Sequence, residues 1–369
     1  MAVKNFAFLL VLTLLVLSVN CKKKNGKKKD EIVQNICDED DRERAVLCFC
    51  TPSEMNTAEE AVCWVYGAKI SGDDAVWSKF ASQPNLEKLK FNVRQDGTLL
   101  NVPSQALLHL NKLKSLEIQY GIINELPPFV FANSSTLTDI SVPHNQITNL
   151  QSHSVSHLPK LTILNLDGNK IVELKRESIR DVPMLKMLFI NGNNLSIIHD
   201  YAFGHLHRLE ELELNTNQIS VITKETFVGL KMLRYLDLRK NRLNMIGDHT
   251  FEVLENLHEL VLDENNIEYI SDKAFSGLKK LTKLRLSENQ LKNLDGDVFK
   301  EAPNVYLLDL RMNGIEMITS EALQPLWNNL MNQTAHLWLE MSFITQLNSF
   351  HAVPDFMKFG RRDGGGQTE

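Results

Sequence analysis

After Cys63 this 369-residue chain contains no further cysteine, so any disulfide or cysteine-bound metal is confined to its N-terminal end. No apolar run convincingly reaches the ~20 residues that a membrane-spanning helix needs. The strongest candidate, from Phe6 to Val19, is 14 residues long. There is no phosphate-cradling glycine loop, no HExxH pair and no serine in a nucleophile-elbow setting. That leaves no framework for catalysis, and no catalytic residue, cofactor or metal centre is expected. Positive charge is also short where a nucleic-acid binder would carry it. Residues 1–29 hold seven lysines and no acid, while residues 30–369 hold 33 basic against 46 acidic residues. A nucleic-acid partner is therefore not expected for the body of the chain.

What the chain has in abundance is one pattern. Leu161-Thr-Ile-Leu164-Asn-Leu166-Asp-Gly-Asn169-Lys-Ile171 reads L-x-x-L-x-L-x-x-N-x-L, and its asparagine recurs at 145, 169, 193, 217, 241, 265, 289 and 313. Each step is 24 residues with no insertion, a period and consensus that define the leucine-rich repeat. Leu164 and Leu166 lie two apart, so on a strand both point inward. Asn169 sits where the chain leaves the strand, and its amide is placed to satisfy backbone groups of neighbouring coils. A second column, Phe203, Phe227, Phe251, Phe275 and Phe299, keeps the same spacing, and Phe131, Val155, Ile179 and Leu323 extend it. No single coil can bury these faces, whereas stacking buries them all. The expected fold is an α/β repeat solenoid, a right-handed horseshoe. Each 24-residue coil should place a short parallel strand on the concave face and an irregular or 3-10 return segment on the convex face.

The ends depart from the period. Lys4 followed by the run from Phe6 to Val19 has the charged and apolar regions of a secretory signal peptide, with a retained membrane anchor as the alternative. Cleavage after Cys21 leaves Cys37, Cys48, Cys50 and Cys63, an even number that in an exported chain reads as two disulfides with three possible connectivities. A zinc site is the rival reading of the Cys48-Phe-Cys50 pair. The six lysines between Lys22 and Lys29 form a solvated tail, or else a contact for heparan sulfate or an anionic surface. The first coils are irregular: one is 27 residues long, and Gly121 stands where an asparagine belongs. Past Ile315 the register breaks, leaving Leu337-Trp-Leu339 as a last degraded strand. The expected organisation is signal peptide 1–21, basic disordered linker 22–36, disulfide cap 37–84, solenoid 85–344 and irregular tail 345–369.

From Cys37 to Ile344 the chain resembles the extracellular leucine-rich-repeat proteins with an N-terminal cysteine cap. Asn35-Ile-Cys37-Asp, Leu47-Cys-Phe-Cys50 and Val62-Cys-Trp64-Val most resemble the caps of the insect connectin family. That resemblance implies homophilic cell adhesion, a lipid anchor, and the pairing Cys37–Cys50 with Cys48–Cys63. The family pattern also has a cysteine-bearing cap beyond Leu339. Here no cysteine and no apolar anchor tail follow, so the expectation is a secreted form or a C-terminal end from another exon.

The candidate binding residues are the strand positions that point outward. Ile163, Met187 and Phe189 make an apolar patch. Glu213, Tyr235, Arg239, Lys240, Asp263, Glu264 and Arg285 make a mixed-charge zone in which Asn215–Arg239–Asp263 and Lys240–Glu264 stand side by side. These read either as cross-strand ion pairs or as an interface, since exposed apolar groups rimmed by charge mark binding sites. Three sequons, at Asn133, Asn194 and Asn332, are candidate glycosylation sites. The pairs His153/His157 and the trio His199/His205/His207 have metal-like spacing but fall on turns, as surface histidines do. Phe356-Met-Lys-Phe359-Gly-Arg-Arg resembles a processing signal for an amidated peptide, in an unsuitable precursor. The expected function is an exported, non-enzymatic protein of cell adhesion or cell-surface recognition, binding another protein or its own copies. The alternative is a soluble ligand-binding or matrix-associated protein with a different partner.

Overall fold

The computed structural model describes residues 34–38, 45–132, 134–330, 336–340 and 358–360. Its centre is a 14-stranded sheet. Val46–Thr51 and Glu60–Val65 pair antiparallel, and every later neighbour is parallel. The strands of the regular coils are Asp139–Ser141, Ile163–Asn165, Met187–Phe189, Glu211–Glu213, Tyr235–Asp237, Glu259–Val261, Lys283–Arg285 and Leu307–Asp309. Residues 24 apart are partners throughout, as in Leu164 with Leu188. The alternating leucines are buried as the pattern requires, and they join the phenylalanine column in one continuous core. Neighbouring rings in that column stack, with centroids 6.4, 5.8, 6.4 and 6.0 Å apart.

The asparagine column is an internal hydrogen-bond ladder. Asn169 Nδ2 donates to Val142 O, Leu166 O and Asp167 O at 2.9, 2.9 and 3.3 Å, and its Oδ1 accepts from Ile147 N at 3.2 Å. Asn193, Asn217, Asn241, Asn265 and Asn289 repeat this set with the same donors and acceptors one coil along. Removing one would orphan buried backbone groups at a cost of about 1–3 kcal/mol. Gly121 ends the ladder with no amide of its own, and its N–H is taken up by Asn145 Oδ1 at 2.8 Å.

The residue before each ladder position has a left-handed backbone. Tyr120, His144, Thr216, Lys240, Glu264, Glu288 and Met312 lie between φ 53° and 63°, and Gly168 and Gly192 at 64° and 62°. The periodic pattern alone gave no sign of this. The return segments are turns with little helix. Two-residue parallel strands such as Glu173–Leu174 with Ile197–Ile198 form small ladders there. The expected last strand is His336–Glu340, with Leu308 opposite Leu337. Beyond it Lys358–Gly360 adds a further strand inside the segment read as irregular. An open sheet edge presents backbone groups that any extended segment can pair with, so no apolar pattern announces such a strand.

At the N-terminal end Cys37 is bonded to Cys50, with Cα atoms 5.6 Å apart, and Cys48 to Cys63, at 3.9 Å. Trp77, Phe80 and Phe91 fill the space beneath with ring centroids 5.7–6.2 Å apart. Gln83 is wholly buried and ties three segments together. Its Nε2 donates to Asn35 Oδ1 and Glu54 O, both at 2.9 Å, and its Oε1 accepts from Ala58 N at 3.0 Å.

Candidate functional site

The outward residues of the strands stand in rows set by the register. Ile163 is opposite Met187, and Asn165 is opposite Phe189. Met187 and Phe189 are in turn opposite Glu211 and Glu213. The apolar trio expected from the sequence is therefore brought together, and all three side chains are half-buried rather than freely exposed. Asp167 lies beside them, its Oδ1 accepting from Asn191 N at 2.6 Å. Asn191 Nδ2 donates to Glu213 Oε2 at 2.7 Å. Burial raises the Asp167 carboxyl above the usual carboxylate range against the pull of the Asn191 N–H, and the nearby Glu213 charge adds to the rise. Glu211 is raised too, first by desolvation and then by its hydrogen bond to Glu213. Among the described residues no lysine or arginine forms an ion pair with Asp167, Glu211, Glu213 or Asp237.

From Tyr235 onward the face is different. Lys240 Nζ is 3.2 Å from Glu264 Oε2, the neighbour that the 24-residue spacing predicts. Lys283 Nζ reaches Glu259 Oε2 at 3.0 Å. Arg285 Nε is 3.3 Å from Glu259 Oε1, near enough for an ion pair but not aligned as a hydrogen bond. Arg311 grips Asp309 through two bonds of 2.9 and 2.6 Å and lies over the Trp338 ring at 4.4 Å. Tyr235 is half-buried, and burial followed by the Asp237, Glu213 and Glu259 charges raises its hydroxyl well above the ordinary tyrosine value.

Two expected residues behave otherwise than their positions imply. Asp263 is only 8% exposed and accepts from Ser287 N and Oγ at 2.7 and 2.8 Å, so it holds the neighbouring coil instead of facing solvent. Arg239 stands between Asn215 and Asp263 as expected, but it is exposed and makes no ion pair among the described residues.

A second outward apolar cluster was missed by the sequence reading. In the antiparallel pair Leu47 is opposite Trp64 and Phe49 opposite Val62. Phe49 and Trp64 are 46% and 40% exposed, and with Leu47, Tyr66 and Arg94 they line a groove of about 410 Å³. Strict alternation in Val46–Thr51 and Glu60–Val65 carries the signal, since the cysteines occupy the inward positions.

The remaining candidates fall in separate places. Asn194 is exposed, while Asn133 and Asn332 lie outside the described residues, as do the segment 1–21 and the lysines from Lys22 to Lys29. His153 and His157 pack on Phe129 at 5.4 and 5.5 Å. His199 Nε2 meets Glu173 at 2.9 Å. His157, His205 and His207 border one hollow with Asp181, yet no group of three or more His, Cys, Asp or Glu among the described residues is placed to hold a metal. No helix of the described residues is long and apolar enough to cross a membrane.

The sequence matches the leucine rich repeat family over residues 111–171, 183–243 and 233–291. This is a leucine-rich-repeat protein with a disulfide-capped N-terminal region. Connectin of Drosophila melanogaster is 36% identical over 78 residues, a stretch covering 21% of this chain and 11% of that protein. Among solved structures, a chain of the TLR13–ssRNA13 complex superposes with a TM-score of 0.66 at 28% identity, over 73% of this chain and 37% of that one. A chain of the octameric complex of Latrophilin 3, Unc5D and FLRT2 gives a TM-score of 0.59 at 20% identity, covering 81% of this chain and 82% of that one. At that identity the likeness is one of fold. The repeat family consists typically of non-catalytic binding proteins.

Proposed function

We propose that this is an exported recognition protein that binds a protein partner through its concave face, in cell adhesion or cell-surface recognition. The observation that carries this reading is the half-buried trio Ile163, Met187 and Phe189, held outward beside carboxylates that have no lysine or arginine ion partner among the described residues. In the coils from Tyr235 onward, by contrast, Glu259, Glu264 and Asp309 each have a cationic partner, and Asp237 and Asp263, which have none among the described residues, are buried and hydrogen-bonded. Two disulfides and the exposed sequon at Asn194 fit the oxidising, glycosylating route of export. The short match to connectin and the protein assembly named for the FLRT2 structure support adhesion or receptor engagement. Binding to copies of itself is the first case to test. Beads coated only with this protein should cluster if recognition is homophilic. Beads that remain dispersed, yet bind to cells, would assign the face to a different protein.

A further inference from the structure

The left-handed position before each ladder position, Gly121 included, carries a side chain in seven of nine coils: Tyr120, His144, Thr216, Lys240, Glu264, Glu288 and Met312. These side chains make a ridge along one edge of the concave face; Tyr120 stacks on His144, and Lys240 pairs with Glu264. The ridge is interrupted at Gly168 and Gly192. The backbone does not demand glycine there, because aromatic, branched, charged and aliphatic residues adopt the same φ in the equivalent coils. Gly168 has a local reason, since a Cβ on it would lie 2.3 Å from the His144 ring. Gly192 has none: a Cβ there would meet only the Gly168 backbone, at 3.8 Å. The gap at Gly192 is open space at a position where the fold tolerates a side chain.

That gap opens onto the coil that bears Met187 and Phe189. On one side of this coil is Asp167, and on the other are Glu211 and Glu213, with Asn191 between them bonded to both Asp167 and Glu213. We infer that this is a docking channel for an extended segment of a partner protein. The segment crosses the ridge at Gly192, lays an apolar side chain on Met187 and Phe189, and places a lysine or arginine over Asp167 and Glu213, on the carboxylate oxygens that Asn191 does not engage. Charge complementarity selects this occupant. Asp167, Glu211 and Glu213 flank the apolar pair and have no lysine or arginine ion partner among the described residues, and a partner's ammonium or guanidinium would offset both their desolvation and their mutual repulsion. The inference rests on the concave-face reading and narrows it to one coil and one kind of ligand.

The test is a library of random 12-residue peptides displayed on phage and selected on the full-length secreted protein. The expected consensus contains lysine or arginine next to an aliphatic or aromatic residue. A synthetic peptide of that consensus should bind at least tenfold more weakly to Gly192→Met, which copies the side chain found at Met312. It should also lose at least tenfold to the double variant Glu211→Gln/Glu213→Gln. Melting curves matching the unaltered protein would show that folding is intact. No enriched peptide, or a consensus without cationic residues, overturns the proposal. Binding that survives both variants but is lost on Lys240→Glu or Arg285→Ala overturns this channel and leaves the concave face as the interface. Binding that survives all of them removes both readings.

Discussion

The coils from Ile163 to Asn217 and the coils from Tyr235 to Asn313 share one interior and differ in one respect outside. Both bury the same leucine columns and the same asparagine ladder. In the second set Glu259, Glu264 and Asp309 each have a lysine or arginine within 3.2 Å, and Asp237 and Asp263 are buried and take amide, hydroxyl or backbone donors. In the first set Asp167, Glu211 and Glu213 have amides, backbone N–H groups or each other. Core and outward face are thus separately specified in this architecture. The interior repeats because every coil must fit its neighbour, and the outward positions vary more freely because they are not part of the shared apolar packing. A stretch where charge is left unbalanced around apolar groups is where the molecule departs from self-sufficiency.

The largest expected effects should not distinguish the two regions. Leu164→Ala and Leu236→Ala each empty part of a fully buried column and should each cost about 2–5 kcal/mol in denaturant melts. A much smaller cost at either site would break the claim of a shared interior. Next come changes that should separate the regions. Phe189→Ala should weaken partner binding by ~2 kcal/mol or more, as truncated interface anchors do. It should cost the fold about 1 kcal/mol or less, because only part of the ring is buried. Glu264→Ala, in the self-paired region, should change stability by about 0–1 kcal/mol, the range of a surface ion pair.

The smallest effect is in the pH dependence. Glu211 has a folded-state value raised above the ordinary 4.5, so it binds its proton more tightly in the folded chain. Its contribution to stability is fully present below the unfolded value and is lost as pH rises through the folded one. Glu211→Gln should therefore melt slightly higher than the unaltered protein at pH 8 and coincide with it near pH 4. Thermal melts at the two pH values check this, and a higher melting temperature for unaltered Glu211 at pH 8 would contradict the assignment.

The interior was almost wholly legible in the sequence because a 24-residue period puts Leu164, Leu188 and Leu212 in one column before any coordinate is known. The same arithmetic foresaw Lys240 beside Glu264. It fails where a contact depends on side-chain reach rather than register, as when Asp263 turns to Ser287 and leaves Arg239 unpaired. It fails also in the cap, where the hairpin register that sets Leu47 against Trp64 is not part of the repeat. The gap at Gly192 was visible as a glycine, but its meaning required the left-handed ridge that the other coils build.

The most direct measurement is partner binding by Phe189→Ala alongside a melting curve of the same protein, using beads or cells that the unaltered protein recognises. Binding about thirtyfold weaker, with a melting temperature close to that of the unaltered protein, is what the concave-face account predicts. Unchanged affinity in a folded Phe189→Ala protein would contradict it and move the interface elsewhere, with the exposed Phe49 and Trp64 groove as the next place to look.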